Sequence, residues 1–501
     1  MEPGPGDEGE RELRLEIESP LPSQLAVGLG NAIFVCGWCF HPTLEVKALT
    51  VTLGDTSTPA IAFGMPRPDV RDSSGLATAY RSGFWAIVSI PPRARAATVE
   101  LGVSARLEDG THASGLAGSI SLAPSDAAEP PRPAISGRVA ICMATYEPAL
   151  DLFQRQIESI RAQTHGDWTC VISDDCSAGE RFEAIREVVG DDPRFELIRN
   201  ERRRGFYANF ELALRSADPQ AEFIALADQD DAWYPEKLEA LIAEIGDATV
   251  AYSDARVVER DGTVRSETYW SHRPNNSTDL ISLILANSIP GSAALYRREI
   301  LKQALPFPPD YGRLFHDHWL AIMALAVGGA RYLDRPLFDY VQHEGSALGH
   351  EARGERHPMR RGLRAKLRIA RRQPGFFHRH WSNAYFHECC RASLFARVVL
   401  MRCAPALTTR DSRALGHLAE IHRSAIALAW IAGRRVARRS GRDETSGAGG
   451  RILRAMLWRR CLELVAARTQ HPPAWLPSQA ALPADPDAPA DFKRDAFTPR
   501  A

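Results

Sequence analysis

The chain has little of what marks a secreted or membrane-spanning protein. Its nine cysteines, in 501 residues, are an odd number. They stand at 36, 39, 142, 170, 176, 389, 390, 403 and 461, which is not the spacing of a disulfide framework, and a reducing compartment fits better. Cys36-x-x-Cys39 has redox or zinc spacing, but no second pair lies near it and it sits in the apolar, strand-like run FVCGWCF, so a structural role is expected. No run approaches the ~18–20 apolar residues of a spanning helix. The nearest, Ala425 to Ala432, closes on Arg434 and Arg435. The opening MEPGPGDEGERE is acidic and contains proline, unlike a secretory signal. There is almost no net charge, −1, so whole-chain charge says nothing of partners. Charge is unevenly spread: acids gather near residues 1–20 and arginines after 350. With 45% hydrophobic and 25% charged residues the composition is that of an ordinary globular protein, long enough for two to four domains.

Residues 1–11 are expected to be disordered, and 12–122 to form a β-sandwich-like accessory domain. Short runs such as Ala32–Phe40, Ala48–Leu53, Phe84–Ile90 and Thr98–Val103 alternate with Gly, Pro, Asp and Ser turns, without a helical period. Residues 123–136, including APSDAAEPPRP, read as a proline-rich linker. From Arg138 strands alternate with helices. The strands are Val139–Met143, Thr169–Ser173, Phe195–Ile198 and Phe223–Leu226; the helices are one opened by Pro148, Phe182–Val189 and Tyr207–Ala217. That alternation predicts an α/β domain over 137–349, a mostly parallel sheet whose ligand edge lies at the strands' C-terminal ends. Residues 350–470 read as a basic helical region and 471–501, rich in Pro, Ala and Asp, as a disordered tail.

The stretch EFIALADQDDAWYPEK, Glu222 to Lys237, organises the rest. A buried strand delivers Asp228, Asp230 and Asp231 at its tip. Three carboxylates within four residues repel one another unless a cation or donor network sits among them, and a divalent metal carrying a phosphate ligand is one such cation; a solvated acidic turn is the other reading. Two further strand tips, Ala144-Thr145-Tyr146-Glu147 and Asp174-Asp175, point to the same edge.

In this order the motifs VAICMATYEP, VISDDCS, NERRRGFYANFELAL, ALADQDDAWYPEKLEAL, ANSIPGSAALYRREIL, HDHW and YVQH resemble the family-2 glycosyltransferases, over about residues 137–345. DQDDAW with HDHW and YVQH is most similar to a bacterial rhamnosyltransferase-like subgroup. Residues 31–90, with CGWCF, RPDV and SGF, resemble a small β-domain accompanying some bacterial glycosyltransferases. The resemblance implies a GT-A fold that binds a nucleotide-diphospho-sugar, dTDP-rhamnose or a UDP-hexose. It implies that Thr145, Tyr146 and Glu147 border the nucleotide, that Asp174 accepts from a pyrimidine ring N–H with Asp175 near the ribose, and that Arg204 and Asn209 flank it. Asp228 and Asp230 would form the DxD pair on ribose and on Mg²⁺ or Mn²⁺, with His343 reaching the metal or diphosphate. Asp317 would be the base of an inverting transfer, although an Asp there also caps a helix. Asn287, Gly291 and Ser292 would lie on the acceptor side, with Trp319 stacking on a sugar or packing the core.

The acceptor expected from this resemblance is a hydroxyl of a cell-surface glycan or a polyprenyl-diphosphate-linked sugar. Arginines at 353, 356, 360, 361, 364, 368, 371 and 372, then at 434, 435, 438 and 439, with Phe376, Phe377, Trp381, Tyr385 and Phe386 between them, fit peripheral contact with the inner face of the cytoplasmic membrane as well as a solvated basic face. No motif for reading nucleic acid accompanies these charges. Two other functions compete. A sugar nucleotidyltransferase needs a Gly-rich, Lys/Arg-bearing first loop, which ATYEPAL lacks; a non-catalytic carbohydrate-binding scaffold is disfavoured by intact Asp228, Asp230 and Asp317.

Overall fold

The computed structural model describes residues 13–124, 133–270, 275–343, 376–437, 445 and 447–468. The N-terminal part is a two-sheet sandwich. One sheet is antiparallel, in the order β1 (Arg14–Ile17), β3 (Asn31–Phe40), β7 (Gly83–Ile90), β6 (Ala62–Met65). The other runs β2 (Gln24–Ala26), β9 (His112–Ala123), β8 (Ala97–Leu107), β4 (Val46–Leu53), β5 (Thr56–Pro59). Successive strand residues face opposite ways. Ile33, Val35 and Cys39 of β3, with Phe84, Ala86 and Val88 of β7, fill the space between the sheets. Ala32, Phe34 and Cys36, with Trp85 and Ile87, face the rest of the protein. FVCGWCF therefore lacks alternation because both faces of its strand are buried. The same periodicity puts Cys36 and Cys39, three residues apart, on opposite faces, where they neither pair nor share a metal. Burial pushes the Cys39 thiol up to about 12, so it stays protonated.

One element here differs from the all-β reading. Helix Pro68–Ser74 starts on a proline and stops at Gly75, whose φ of 71° permits the left-handed cap that donates to the Arg71 carbonyl. Arg67 just before it forks onto both oxygens of Glu18 at 2.8 Å and onto Asp69. The RPDV motif thus clamps this helix to the first strand.

The second sheet has nine strands. Its order is β12 (Phe195–Arg199), β11 (Trp168–Asp174), β10 (Ile135–Thr145), β13 (Ala221–Ala227), β17 (Ala294–Arg297), β15 (Val250–Glu259), β18 (Ala330–Gln342), β14 (Ala232–Trp233), with β16 (Val264–Ser266) on β15. β10 to β13 are parallel; β17 and β14 run against their neighbours. Strand order reverses direction at β10, so the crevice above the ends of β10 and β13 is where such a sheet takes a ligand. β18 runs unbroken for 13 residues, through Pro336.

The C-terminal helices do not form a detached layer. Phe376–Ala384, Arg391–Cys403, Thr409–Ala419, Ala425–Ala437 and Ala448–Arg468 pack into the core of the α/β sheet and the outer face of the sandwich. Tyr385 and Phe386, expected on a membrane-facing surface, are buried there instead: Trp85 meets both rings edge-on and donates to the Tyr385 hydroxyl at 3.2 Å. Buried Arg402 donates to the carbonyls of Gly30 (2.6 Å), Gln303 (2.9 Å) and Ala304 (3.1 Å), joining all three parts. The arginines from 353 to 372 and Arg438 and Arg439 lie outside the described residues, as do 1–12, most of the linker and 469–501.

Candidate active site

The tips of β10, β11 and β13 form one edge. Thr145 Oγ1 and the Tyr146 N–H both donate to Gln229 Oε1, at 2.7 and 2.9 Å, which ties the first tip to the acidic one. Glu147 holds φ at 43°, a conformation that costs a non-glycine residue energy and persists only where neighbours enforce it. They do: its N–H donates to Ser177 Oγ at 2.9 Å, and its carboxylate accepts from the Ala178 N–H at 2.6 Å.

Asp174, Asp175 and Asn209 are more inward than expected of groups that touch a nucleotide. Asp174 is fully buried, and the Ser177 N–H and hydroxyl occupy its two oxygens at 2.9 and 2.5 Å; burial raises its pKa. Asp175, also buried, accepts from the backbone N–H groups of Arg204 (2.7 Å) and Gly205 (2.8 Å) and from Asn200 (3.1 Å). It fixes the start of helix Phe206–Arg215. Asn209 on that helix donates to the Ser173 carbonyl and accepts from Ser173 Oγ and Asn200. The Arg204 side chain is exposed, while Arg203 lies 4.2 Å above the Tyr146 ring.

Around β13 the charges are dense. Ser292 Oγ donates to Asp228 Oδ2 at 2.9 Å and accepts from the Asp228 N–H at 3.1 Å. Burial, then the neighbouring charge of Asp230, pushes Asp228 up to about 7. Asp231 is fully buried, and burial, with the charges of Asp228 and Asp230, raises it well above the usual carboxylate range; its Oδ1 accepts from the Val341 N–H at 3.3 Å. Asp230 pairs with His343, Nε2 to Oδ2 at 2.7 Å, which raises the imidazole pKa. Two residues 113 positions apart in sequence thus meet at the end of β18.

Sequence reasoning missed Lys237. It is fully buried below the acidic cluster, its ammonium 3.6 Å from the Trp233 ring centroid and 4.6 Å from that of Phe338, and it donates to the Ser292 carbonyl. Burial pulls its pKa down; Asp231 and Asp228 pull it back. A signal was present: Lys237 stands four residues before the buried Leu241, on the inward face of its helix.

Asp317 opens helix His316–Val327. Its Oδ2 accepts from Asn287 Nδ2 at 2.9 Å and its Oδ1 from the His318 N–H at 2.7 Å. Burial raises it to about 6. Asn287, expected on the acceptor, is an orienting donor to this carboxylate. His316 is stacked on Phe210, ring centroids 3.6 Å apart, and burial lowers it to about 3, so it is neutral. Trp319 does not face a sugar: it is fully buried, donates to the Ala304 carbonyl at 2.9 Å and packs on Phe395, because it begins the apolar run Trp319–Val327 one turn into its helix. Gly291 passes beside the base. A Cβ there would lie 3.2 Å from Asp317 Cβ and 3.4 Å from His316 Nε2. Gly291→Ala is expected to displace the carboxylate by a few tenths of an ångström and lower turnover about tenfold without changing donor affinity, checked by initial rates beside calorimetric binding.

Hard carboxylate oxygens and an imidazole suit Mg²⁺ or Mn²⁺, and the charge of Asp230, which adds to burial in lifting Asp228, is what a divalent cation offsets. Among the described residues no group of three or more His, Cys, Asp or Glu side chains is arranged to hold a metal by itself. A metal held by Asp230 and His343 would complete its shell with ligand oxygens and water.

A family model described as glycosyl transferase family 2 matches residues 140–305, from β10 to the end of the helical turn after β17. An uncharacterized glycosyltransferase, alr2836 of Nostoc sp., is 27% identical over 212 residues, 41% of this chain and 65% of its own. The Escherichia coli UDP-Glc:alpha-D-GlcNAc-diphosphoundecaprenol beta-1,3-glucosyltransferase WfgD is 32% identical over 105 residues, 21% of this chain and 40% of its own. The chain spans less than two thirds of either relative. Among solved structures, Staphylococcus aureus TarS 1–349 with UDP-GlcNAc is similar over 66% of this chain and 92% of its own, at 15% identity and a TM-score of 0.38. Residues 140–305, with the parallel strands and acidic tips described above, are thus the part of the chain that is similar to glycosyl transferase family 2.

Proposed function

We propose that the chain is an inverting glycosyltransferase that moves a sugar from a nucleotide-diphospho-sugar to a hydroxyl of a cell-surface glycan precursor. The observation that carries this reading is the approach of two carboxylate groups with different tasks. Asp228 and Asp230 stand at the tip of β13, and Asp317, oriented by Asn287 and packed beside Gly291, is close enough for its charge to act on Asp228. Separation of a diphosphate-holding group from a base is what in-line displacement at an anomeric carbon requires. The metal, when bound at Asp230 and His343, supplies charge neutralisation for the departing diphosphate. Ser292 and Lys237 fix Asp228. Asp317 takes the proton of the attacking hydroxyl, and its raised pKa matches that task near neutral pH.

The donor reading is dTDP-rhamnose or a UDP-hexose; UDP-Glc in WfgD's name supports a uridine diphosphate carrier. WfgD's diphosphoundecaprenol-linked acceptor supports a lipid-linked acceptor here. Thermal-shift measurement against a panel of nucleotide sugars, with and without Mn²⁺, tests this. A metal-dependent rise in Tm for one or a few uridine or thymidine diphosphate sugars is expected. A flat panel sinks the donor reading.

A further inference from the structure

Among the described residues seven large hydrophobic side chains are exposed, and four of them stand on two consecutive C-terminal helices: Ile426, Val436, Leu457 and Leu464. On Ala425–Ala437 the outward stripe is Ile426, Ala429, Gly433 and Val436, at helical spacing. On Ala448–Arg468, Leu457 and Leu464 lie two turns apart, with exposed Arg460 and Arg468 on the same side. The two helices hold seven arginines (434, 435, 451, 454, 459, 460, 468) and one acid, Glu463, which pairs with Arg459 and Arg460; Arg459 is buried, Arg434 and Arg451 pair with Asp279 and Glu388, and Arg435, Arg460 and Arg468 are the exposed ones. Neither helix is long and apolar enough to cross a bilayer.

We propose that this apolar and cationic face rests on an anionic phospholipid bilayer. Leucine, isoleucine and valine ends enter the headgroup boundary while Arg435, Arg460 and Arg468 meet phosphates. The excess of arginine over acid is the complementarity that selects this occupant over a second, equally basic copy of the same face. The pair is anchored toward the site. Arg434 Nη2 donates to Asp279 at 2.5 Å and to Ser282 Oγ at 2.7 Å. Asp279 caps helix Leu280–Leu285, which runs directly into Asn287. A surface-bound enzyme would thus hold the Asn287–Ser292 loop at a fixed relation to the membrane.

The test needs no transferase activity and so is separate from the catalytic reading. Removing residues 350–470 is unsuitable, because those helices carry core. The full chain is instead sedimented with phosphatidylglycerol-containing and with pure phosphatidylcholine vesicles, beside Leu457→Asp/Leu464→Asp and Ile426→Asp/Val436→Asp. These positions are exposed, and unchanged Tm would confirm folding. Expected are salt-sensitive binding to the anionic vesicles only and a fall in partitioning of about tenfold or more in each double variant. Equal sedimentation of wild type and variants, or no preference for the anionic lipid, overturns the proposal. So does a wild-type dimer, dissociated by the same substitutions, that ignores both vesicles.

Discussion

Asp317→Asn is expected to lower turnover by about a hundred- to ten-thousandfold, the usual range for loss of a positioned base, with donor affinity unchanged. The substitution keeps the shape and an acceptor for the His318 N–H, but it sets an amide NH2 against the Asn287 amide that donates to Asp317, and it removes the proton acceptor. The pH dependence gives the sign. Burial lifts Asp317 from the ordinary carboxylate range to about 6; Arg391 from the C-terminal helices opposes this, and Asp228 and Tyr296 are the other titratable groups that sense its charge. Only the ionised form accepts a proton, so the rate should fall as pH drops through about 6, a limb absent from the residual activity of the variant. Rate–pH profiles beside calorimetric titration with donor check this. Loss of donor binding together with turnover would make Asp317 a structural residue.

Asp230→Asn should act on the other half of the site. Asp230 is the acidic group that meets an imidazole, at 2.7 Å, and it lies beside the crevice between β10 and β13. If Asp230 and His343 hold the cation, the amide weakens Mn²⁺-dependent donor binding by more than about a hundredfold, beyond what loss of a supporting group around a metal costs. Binding measured without the metal should stay as it was. His343→Ala should show the same metal dependence in milder form. Identical affinities for wild type and Asp230→Asn in the presence of Mn²⁺ would remove the metal assignment and leave Asp230 as the partner of a strand-end histidine.

Much of this site was legible before any coordinates. Phe223–Leu226 followed by three aspartates reads as a buried strand with a charged tip, and its repetition at Thr145 and Asp174 put three tips on one edge. Local periodicity suffices for that, because parallel strands joined by helices must all end on the same side. What escaped was any side chain whose partner is distant in sequence. Asn209 stands in a motif, yet its side-chain amide closes on the carbonyl of Ser173, 36 positions before it. Trp319 looks like a sugar platform until Phe395, 76 positions on by the numbering, is found against its ring. Lys237 looks like one more solvated charge of PEK.

The amino-acid order alone settled the alternation of strands and helices, the acidic strand tips and the apolar faces, since these depend on residues within a turn or a pleat of one another. The tertiary structure alone decided that Asp230 meets His343, that Asn287 turns Asp317, that Lys237 lies beneath Asp228, and that the arginine-rich C-terminal helices share one core with both sheets. Those pairings follow from chain reversal between non-adjacent strands and from burial, and no short-range pattern in a sequence encodes which buried charge will find which partner.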